Sequence, residues 1–194
     1  DLIVSRGLGD VYKRQTRRAN SIAFDLREAG RLKRKENKLT GPVEKDKNGE
    51  PIRIPGHFKN LKGIGWFIKD YGIAQISYNI TNIQTTPLHK VFEKTCERAD
   101  KRGLRVTGSE LVGLVPKRVL MDTGIYFLKK QKRSVALPDA EIIRIAIKTL
   151  GLDELKPFVP EEQILESYLE ADDSELVDMN LRAFSFETAS ESPA

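Results

Sequence analysis

Hydrophobic and polar residues alternate cleanly along one short segment of the chain. In Ile73–Ile80, four apolar positions are interleaved with three polar ones, the apolar set being Ala74, Ile76, Tyr78 and Ile80 and the polar set Gln75, Ser77 and Asn79. Successive side chains of a strand point to opposite faces, so this pattern predicts a strand with one buried and one open face. Ile64–Ile68 reads as the preceding strand, joined to it through Asp70–Gly72.

Elsewhere the apolar positions recur with the helical period of about 3.6 residues. The pattern predicts a helix ending at Gly30, then helices that begin at Thr86-Pro87, Pro116 and Pro138, and a last short helix over Glu161–Leu169. Val106–Val115 is predicted to be a strand. Two strands, a helix, a strand and a helix indicate an α+β fold with helices on one sheet face.

Residues 31–62 differ from the rest because they are polar and rich in lysine and arginine, with ten bases against four acids. Asn48-Gly49 favours a tight turn, since both residues tolerate positive φ. We therefore expect a short hairpin excursion here. Lys33, Arg34 and Lys35 could attract a polyanion, whereas the plain alternative is a solvated loop.

Composition and charge limit the classes of protein to which this chain can belong. With 194 residues, 39% of them hydrophobic, one medium domain with a real core is expected. The net charge of +5 hides a split, because residues 159–194 hold ten acids and one base. A single cysteine, Cys96, excludes an intrachain disulfide, and no apolar run reaches the roughly 20 residues of a membrane span. A cytoplasmic protein without a membrane or metal partner is the simplest interpretation.

Two blocks, Tyr71–Glu93 and Val106–Leu128, resemble the glutamate formimidoyltransferases of the formiminotransferase-cyclodeaminase family. The likeness runs from about Ala19 to Leu169 and covers the second subdomain of that enzyme. It implies ferredoxin-like topology and tetrahydrofolate as co-substrate. The implied reaction moves the formimidoyl group of N-formimidoyl-L-glutamate to N5 of tetrahydrofolate in histidine degradation.

The resemblance also implies partners and limits. The family's catalytic histidine belongs to the N-terminal subdomain, so no catalytic residue is assigned to this chain. We expect it to be inactive alone, to work with that subdomain of the same parent chain, and to come from a homo-oligomeric parent. The alternative is a non-catalytic folate-binding or dimerisation module. Nucleic acid is not expected, because the strands lack the aromatic motif of RNA-recognition domains.

The resemblance divides the chain into five segments. Residues 1–15 contain Ser5–Gln15, which resembles the translation of a transposase adapter used in DNA libraries, so we exclude them as an artefact. Residues 16–30 are the linking helix, residues 31–62 a basic insertion, and residues 63–169 the C-terminal subdomain. Residues 170–194 are expected to be an acidic linker and the truncated opening of a cyclodeaminase domain, which Leu176–Ala194 resembles; the alternative is an acidic disordered tail.

Six polar residues are candidates for substrate or folate binding: Gln75, Ser77, Asn79, Asn82, Ser109 and Glu110. Amides and hydroxyls on rigid strands can recognise a pterin or an amidine by hydrogen bonds. The competing interpretation is a solvated sheet face, with Glu110 in a structural ion pair. Lys33, Arg34 and Lys35 are candidates for steering a folate polyglutamate tail. His89 falls in the first turn of a helix, where the dipole lowers its pKa and would suit a neutral imidazole base, but local packing is the favoured interpretation.

Overall fold

The computed structural model describes residues 2–6, 11–36, 41–70 and 72–171. Its main sheet has four strands: β1 (Leu2–Arg6), β4 (Leu61–Ile68), β5 (Ile73–Ile80) and β6 (Val106–Ser109). Their order across the sheet is β4-β5-β1-β6, and each neighbouring pair is antiparallel. Helices α1 (Val11–Leu26) and α2 (Leu88–Asp100) complete a βαββαβ unit. This order confirms the predicted α+β, ferredoxin-like class.

Helix α1 and helix α2 cover one face of this sheet. The first hydrophobic core joins Ile22 and Leu26 of α1, Ala74 and Ile76 of β5, and Val91 of α2. Gln75, Ser77 and Asn79 alternate with the core residues of β5, so the predicted division of this strand into two faces is confirmed.

A second core lies on the other side of α2. Here α3 (Lys117–Lys130) packs against α4 (Asp139–Leu150), and Leu88 and Phe92 of α2 reach into the same cluster. The chain then ends its described part with α5 (Pro160–Gln163) and α6 (Leu165–Ala171). In the described part, no helix is long and apolar enough to cross a membrane.

Helix α1 lies unusually close to the edge strand β4. A Cβ placed on Gly65 would be 2.5 Å from the backbone nitrogen of Asn20, so only glycine permits this approach. The Asn20 side chain accepts from the Gly65 N–H at 3.0 Å and donates to the Gly65 carbonyl. One amide therefore binds both backbone groups of Gly65 at the edge of β4, which would otherwise be free to pair with another strand.

The basic segment forms the predicted hairpin. Strands β2 (Arg31–Leu32) and β3 (Arg53–Ile54) pair, and isolated bridges continue the ladder towards the turn. Asp46 accepts hydrogen bonds from the backbone of Asn48 and Glu50, and Gly49 has a φ of +85°. Asn48 keeps negative φ, so the turn is a three-residue loop closed by glycine rather than the two-residue turn that the dipeptide suggested.

Three element predictions need correction. The strand predicted over Val106–Val115 stops at Ser109, because the Ser109 N–H and hydroxyl both bind carbonyls at the end of α4 and the chain turns away. Thr86 does not cap α2, since its hydroxyl donates to the Lys59 carbonyl. The last predicted helix is broken at Ile164, whose backbone is extended.

Residues 1–15 were expected to contribute no element, and here the structure differs. Leu2–Arg6 is the strand β1 between β5 and β6, and α1 begins at Val11. Strand pairing uses backbone groups, so an extended Leu-Ile-Val sequence can fill that place whatever its origin. The adapter origin of the segment stays a prediction. The predicted acidic linker and cyclodeaminase opening lie mainly beyond position 171, outside the residues that the structure describes.

We predict that Gly65→Ala lowers the free energy of unfolding by about 2–4 kcal/mol, because a methyl group there meets the backbone of α1. Urea unfolding followed by circular dichroism measures the change. Ile64→Ala, a neighbouring substitution at a half-exposed side chain, is the control and should cost about 1 kcal/mol or less. A Gly65→Ala midpoint equal to that of the wild type would contradict the proposed close approach.

Candidate functional site

The sheet face opposite α1 and α2 carries the predicted binding residues of β5. The antiparallel register places Lys62 opposite Asn79, Ile64 opposite Ser77, and Trp66 opposite Gln75. Ile64 and Trp66 are 51% and 41% exposed, which is unusual for large apolar side chains on a rigid strand. We call these six residues the open sheet face. It combines apolar surface with amide, hydroxyl and ammonium groups.

Gln75 is held in one orientation by the tryptophan opposite it. The Trp66 Nε1–H donates to the Gln75 Oε1 at 2.7 Å, and Gln75 is only 3% exposed. Because the oxygen accepts from the indole, the direction of the Gln75 NH2 is fixed as well. The indole thereby positions an amide on the open sheet face.

A cavity of about 600 Å³ extends from the open sheet face over the edge of β4. Its lining includes Lys62, Ile64, Ser77 and Asn79, together with residues at the end of α1. This volume is within the usual range for sites that hold small molecules. Ser77 and Asn79 are thus brought together as expected, with Gln75 next along the same strand.

Arg27 supplies a cation to the α1 side of this cavity. Its guanidinium donates to the carbonyls of Gly30 and Gly63 at 3.1 and 3.2 Å and lies 4.1 Å from the centre of the Phe24 ring. Burial, and then the nearby Arg53, lower the pKa of Arg27. The guanidinium remains charged because arginine titrates far above neutral pH, so Arg27 brings a fixed positive charge to this wall, where Glu28 also lies.

The other three predicted binding residues lie elsewhere. The Asn82 side-chain oxygen accepts from the backbone N–H groups of Gln84 and Thr85, both at 3.0 Å, and so holds the turn before α2. The Ser109 hydroxyl donates to the Leu150 carbonyl at 2.6 Å. Glu110 forms an ion pair with Lys156 at 3.5 Å. All three side chains therefore make structural contacts outside the cavity.

The predicted steering residues are partly engaged within the hairpin. Lys33 pairs with Glu44 at 2.7 Å, and Arg34 donates to the Gly41 carbonyl at 2.7 Å. Lys35 is exposed. Within the described ranges, no group of three histidine, cysteine, aspartate or glutamate side chains could hold a metal ion.

His89 packs as a ring within the protein. It is 9% exposed and stacks on Tyr126 with a centroid distance of 4.3 Å. Burial, and then Lys90, lower the pKa of His89 from its ordinary value of 6.5. The geometry therefore favours the packing interpretation. Cys96 is half-buried, and burial raises the pKa of its thiol to about 11, so it is a poor nucleophile at neutral pH.

Sequence reasoning missed Ile64 and Trp66, because large apolar residues in a strand are usually assigned to the core. The alternating glycines of β4 carried the missing signal. Gly63 would collide with the Tyr78 ring and Gly65 with α1 if either had a side chain, so both glycines face the helices. Ile64 and Trp66 must then point to the opposite face.

Comparison with known proteins gives one consistent family. The formiminotransferase domain matches residues 11–170 of this chain. Formimidoyltransferase-cyclodeaminase of Gallus gallus is 42% identical over 132 residues, which are 67% of this chain and 24% of that protein. The protein of that name from Rattus norvegicus is 37% identical over 179 residues, 91% of this chain and 29% of the relative.

A shorter match joins the chain to the glutamate formimidoyltransferase of Streptococcus pyogenes serotype M1. It is 38% identical over 74 residues, covering 38% of this chain and 25% of that protein. This chain therefore spans less than a third of the length of each of these three relatives.

We predict that His89 makes the protein less stable as the pH falls below 6.5. The unfolded chain binds a proton at His89 near pH 6.5, whereas the folded protein binds it only at lower pH. Protonation therefore favours unfolding between these two pKa values, and the His89 contribution is fully present above 6.5. Urea midpoints at pH 7.5 and 5.5 should differ less in His89→Phe than in the wild type.

The control is Ile64→Ala, which leaves His89 in place, removes no titratable group and should retain the wild-type pH dependence. An unchanged pH dependence in His89→Phe would show that the buried imidazole is not the group responsible.

Proposed function

The chain belongs to the formiminotransferase domain family, and we propose that it forms one wall of the substrate cleft of a glutamate formimidoyltransferase. The observation that carries the proposal is the open sheet face, where Ile64, Ser77 and Asn79 line a cavity of about 600 Å³. The exposed Trp66 follows Ile64 on the same face of β4, opposite Gln75. Such a surface suits a flat heterocycle whose edges carry hydrogen-bonding groups.

In the proposed reaction, N5 of tetrahydrofolate attacks the amidine carbon of N-formimidoyl-L-glutamate. A bond forms between N5 and that carbon, and the bond from the carbon to the glutamate nitrogen breaks. A base takes the N5 proton, and an acid protonates the departing nitrogen. Holding both substrates side by side supplies a large part of the rate. The acid and base would come from an N-terminal subdomain of the same parent chain.

This chain would bind and orient the substrates. Trp66 and Ile64 would offer apolar contact to a pterin ring, while Ser77, Asn79 and the Gln75 NH2 would hydrogen-bond its edge or the amidine. A ring bound over Trp66 would also exclude water from the reacting atoms. The exposed Lys62 and the Arg27 guanidinium favour the carboxylates of both substrates.

The basic hairpin completes the proposal. Lys33, Arg34 and Lys35 retain positive charge even where they have local partners, and they would attract a polyglutamate tail in a salt-dependent manner. We further propose a homo-oligomeric parent in the cytoplasm, consistent with the single cysteine and the family.

We predict that residues 1–194 alone give no turnover of tetrahydrofolate and N-formimidoyl-L-glutamate above a protein-free blank. Joined to the histidine-bearing first subdomain of the family, the same chain should be active. In that joined protein, Ser77→Ala with Asn79→Ala should lower kcat/KM about tenfold to a hundredfold by removing substrate hydrogen bonds. Absorbance of the formimidoyl-folate product measures the rate.

Arg144→Ala is the control, because Arg144 is exposed on α4 and pairs with Glu141. It should leave kcat/KM unchanged. Turnover by the chain alone would contradict the proposal of a single wall. Tetrahydrofolate binding to the chain alone can be followed by quenching of Trp66, the only tryptophan in the sequence. Saturable binding in this assay, combined with an inactive joined protein, would instead support a folate-binding module.

A further inference from the structure

A second cavity, of about 310 Å³, lies between α1, α2 and the chain that follows β3. The helices that border it cover the opposite face of the sheet from the open sheet face, so this cavity is separate from the proposed substrate cleft. Charged side chains of α1, β2 and α2 meet there, namely Asp25, Arg31 and Arg98. The remaining lining is Phe24, Ile54, Pro55, Gly56 and His57.

Asp25 already binds two arginines beside this cavity. Arg31 donates to its Oδ1 and Arg102 to its Oδ2, and all three side chains are less than a quarter exposed. Ser21 links the same arginines, accepting from Arg102 at its hydroxyl and from Arg31 at its carbonyl. One carboxylate thus neutralises only one of the two guanidinium charges.

Arg98 adds a third positive charge that no described residue neutralises. It lies on α2, about one turn before Arg102, which follows the end of that helix, and its carbonyl accepts a hydrogen bond from Arg102. Its Nε is fully buried and has no hydrogen-bond acceptor within the described part of the protein. A buried donor without an acceptor is costly, and natural proteins rarely leave one unless it has a use.

We propose that this cavity is a binding site for a small carboxylate ligand, held by Arg98 and Arg31. A guanidinium presents a planar fork that matches a carboxylate, and Asp25 demonstrates that pairing in the same cluster. The net positive charge and partial burial strengthen the attraction to an anion. The walls are tight, because a Cβ on Gly56 would lie 2.0 Å from the Arg27 carbonyl oxygen.

The test is nuclear magnetic resonance of the Arg98 Nε–H in the full chain, with glutarate as the probe. Glutarate should shift this signal saturably at constant ionic strength, and inorganic phosphate should bind more weakly. Arg98→Gln should raise the glutarate Kd at least about tenfold, measured by calorimetry. Arg144→Gln, which removes an exposed arginine of α4, should bind glutarate as the wild type does.

Three outcomes would overturn the proposal. The first is an Arg98 signal that does not move with glutarate, or that moves equally with chloride. The second is tighter binding of phosphate than of glutarate, which would make the site one for phosphate. The third is unchanged affinity in a folded Arg98→Gln variant. The wild-type signal decides the question even if that variant does not fold.

Discussion

The contact between α1 and β4 is the constraint on which the rest of the structure depends. Gly65 allows the helix backbone to touch the strand, and the Asn20 amide binds both edge groups of Gly65. One side chain therefore anchors α1 and occupies the sheet edge at Gly65. With the helices fixed on this face, Ile64 and Trp66 can only point to the other. The same packing that builds the core thus creates the exposed apolar surface of the open sheet face.

The parts of the fold that could be predicted are those encoded locally. The alternation of β5 gave the correct faces, and α4 begins directly after Pro138, where a helix was predicted to start. The missed parts depend on residues far apart in sequence. Ser109 reads as a strand residue aimed at a ligand, but its hydroxyl binds Leu150, 41 positions away. Pairing of that kind leaves no trace in local periodicity.

The residues of the candidate site could likewise be predicted only in part. Ser77 and Asn79 follow from the polar face of one strand, whereas Trp66 requires knowing which face of β4 meets α1. The Trp66 indole lies opposite Gln75 and fixes the orientation of the Gln75 amide, which the sequence alone does not determine. On the helix side, Asp25 of α1 binds Arg31 of β2 and Arg102 just beyond α2, so this cluster too appears only after folding. The chain therefore presents two unlike surfaces, one apolar with hydrogen-bonding groups and one cationic.

The central claim is that the open sheet face is a wall covered by another subdomain in the working enzyme. Hydroxyl-radical footprinting with mass spectrometry tests this claim directly, because it measures how fast individual exposed side chains are oxidised. The experiment compares the chain alone with the chain joined to the family's first subdomain. The account predicts that oxidation of Trp66 slows strongly in the joined protein, while oxidation of Leu169 on α6 is unchanged. Equal oxidation of Trp66 in both proteins would contradict the claim.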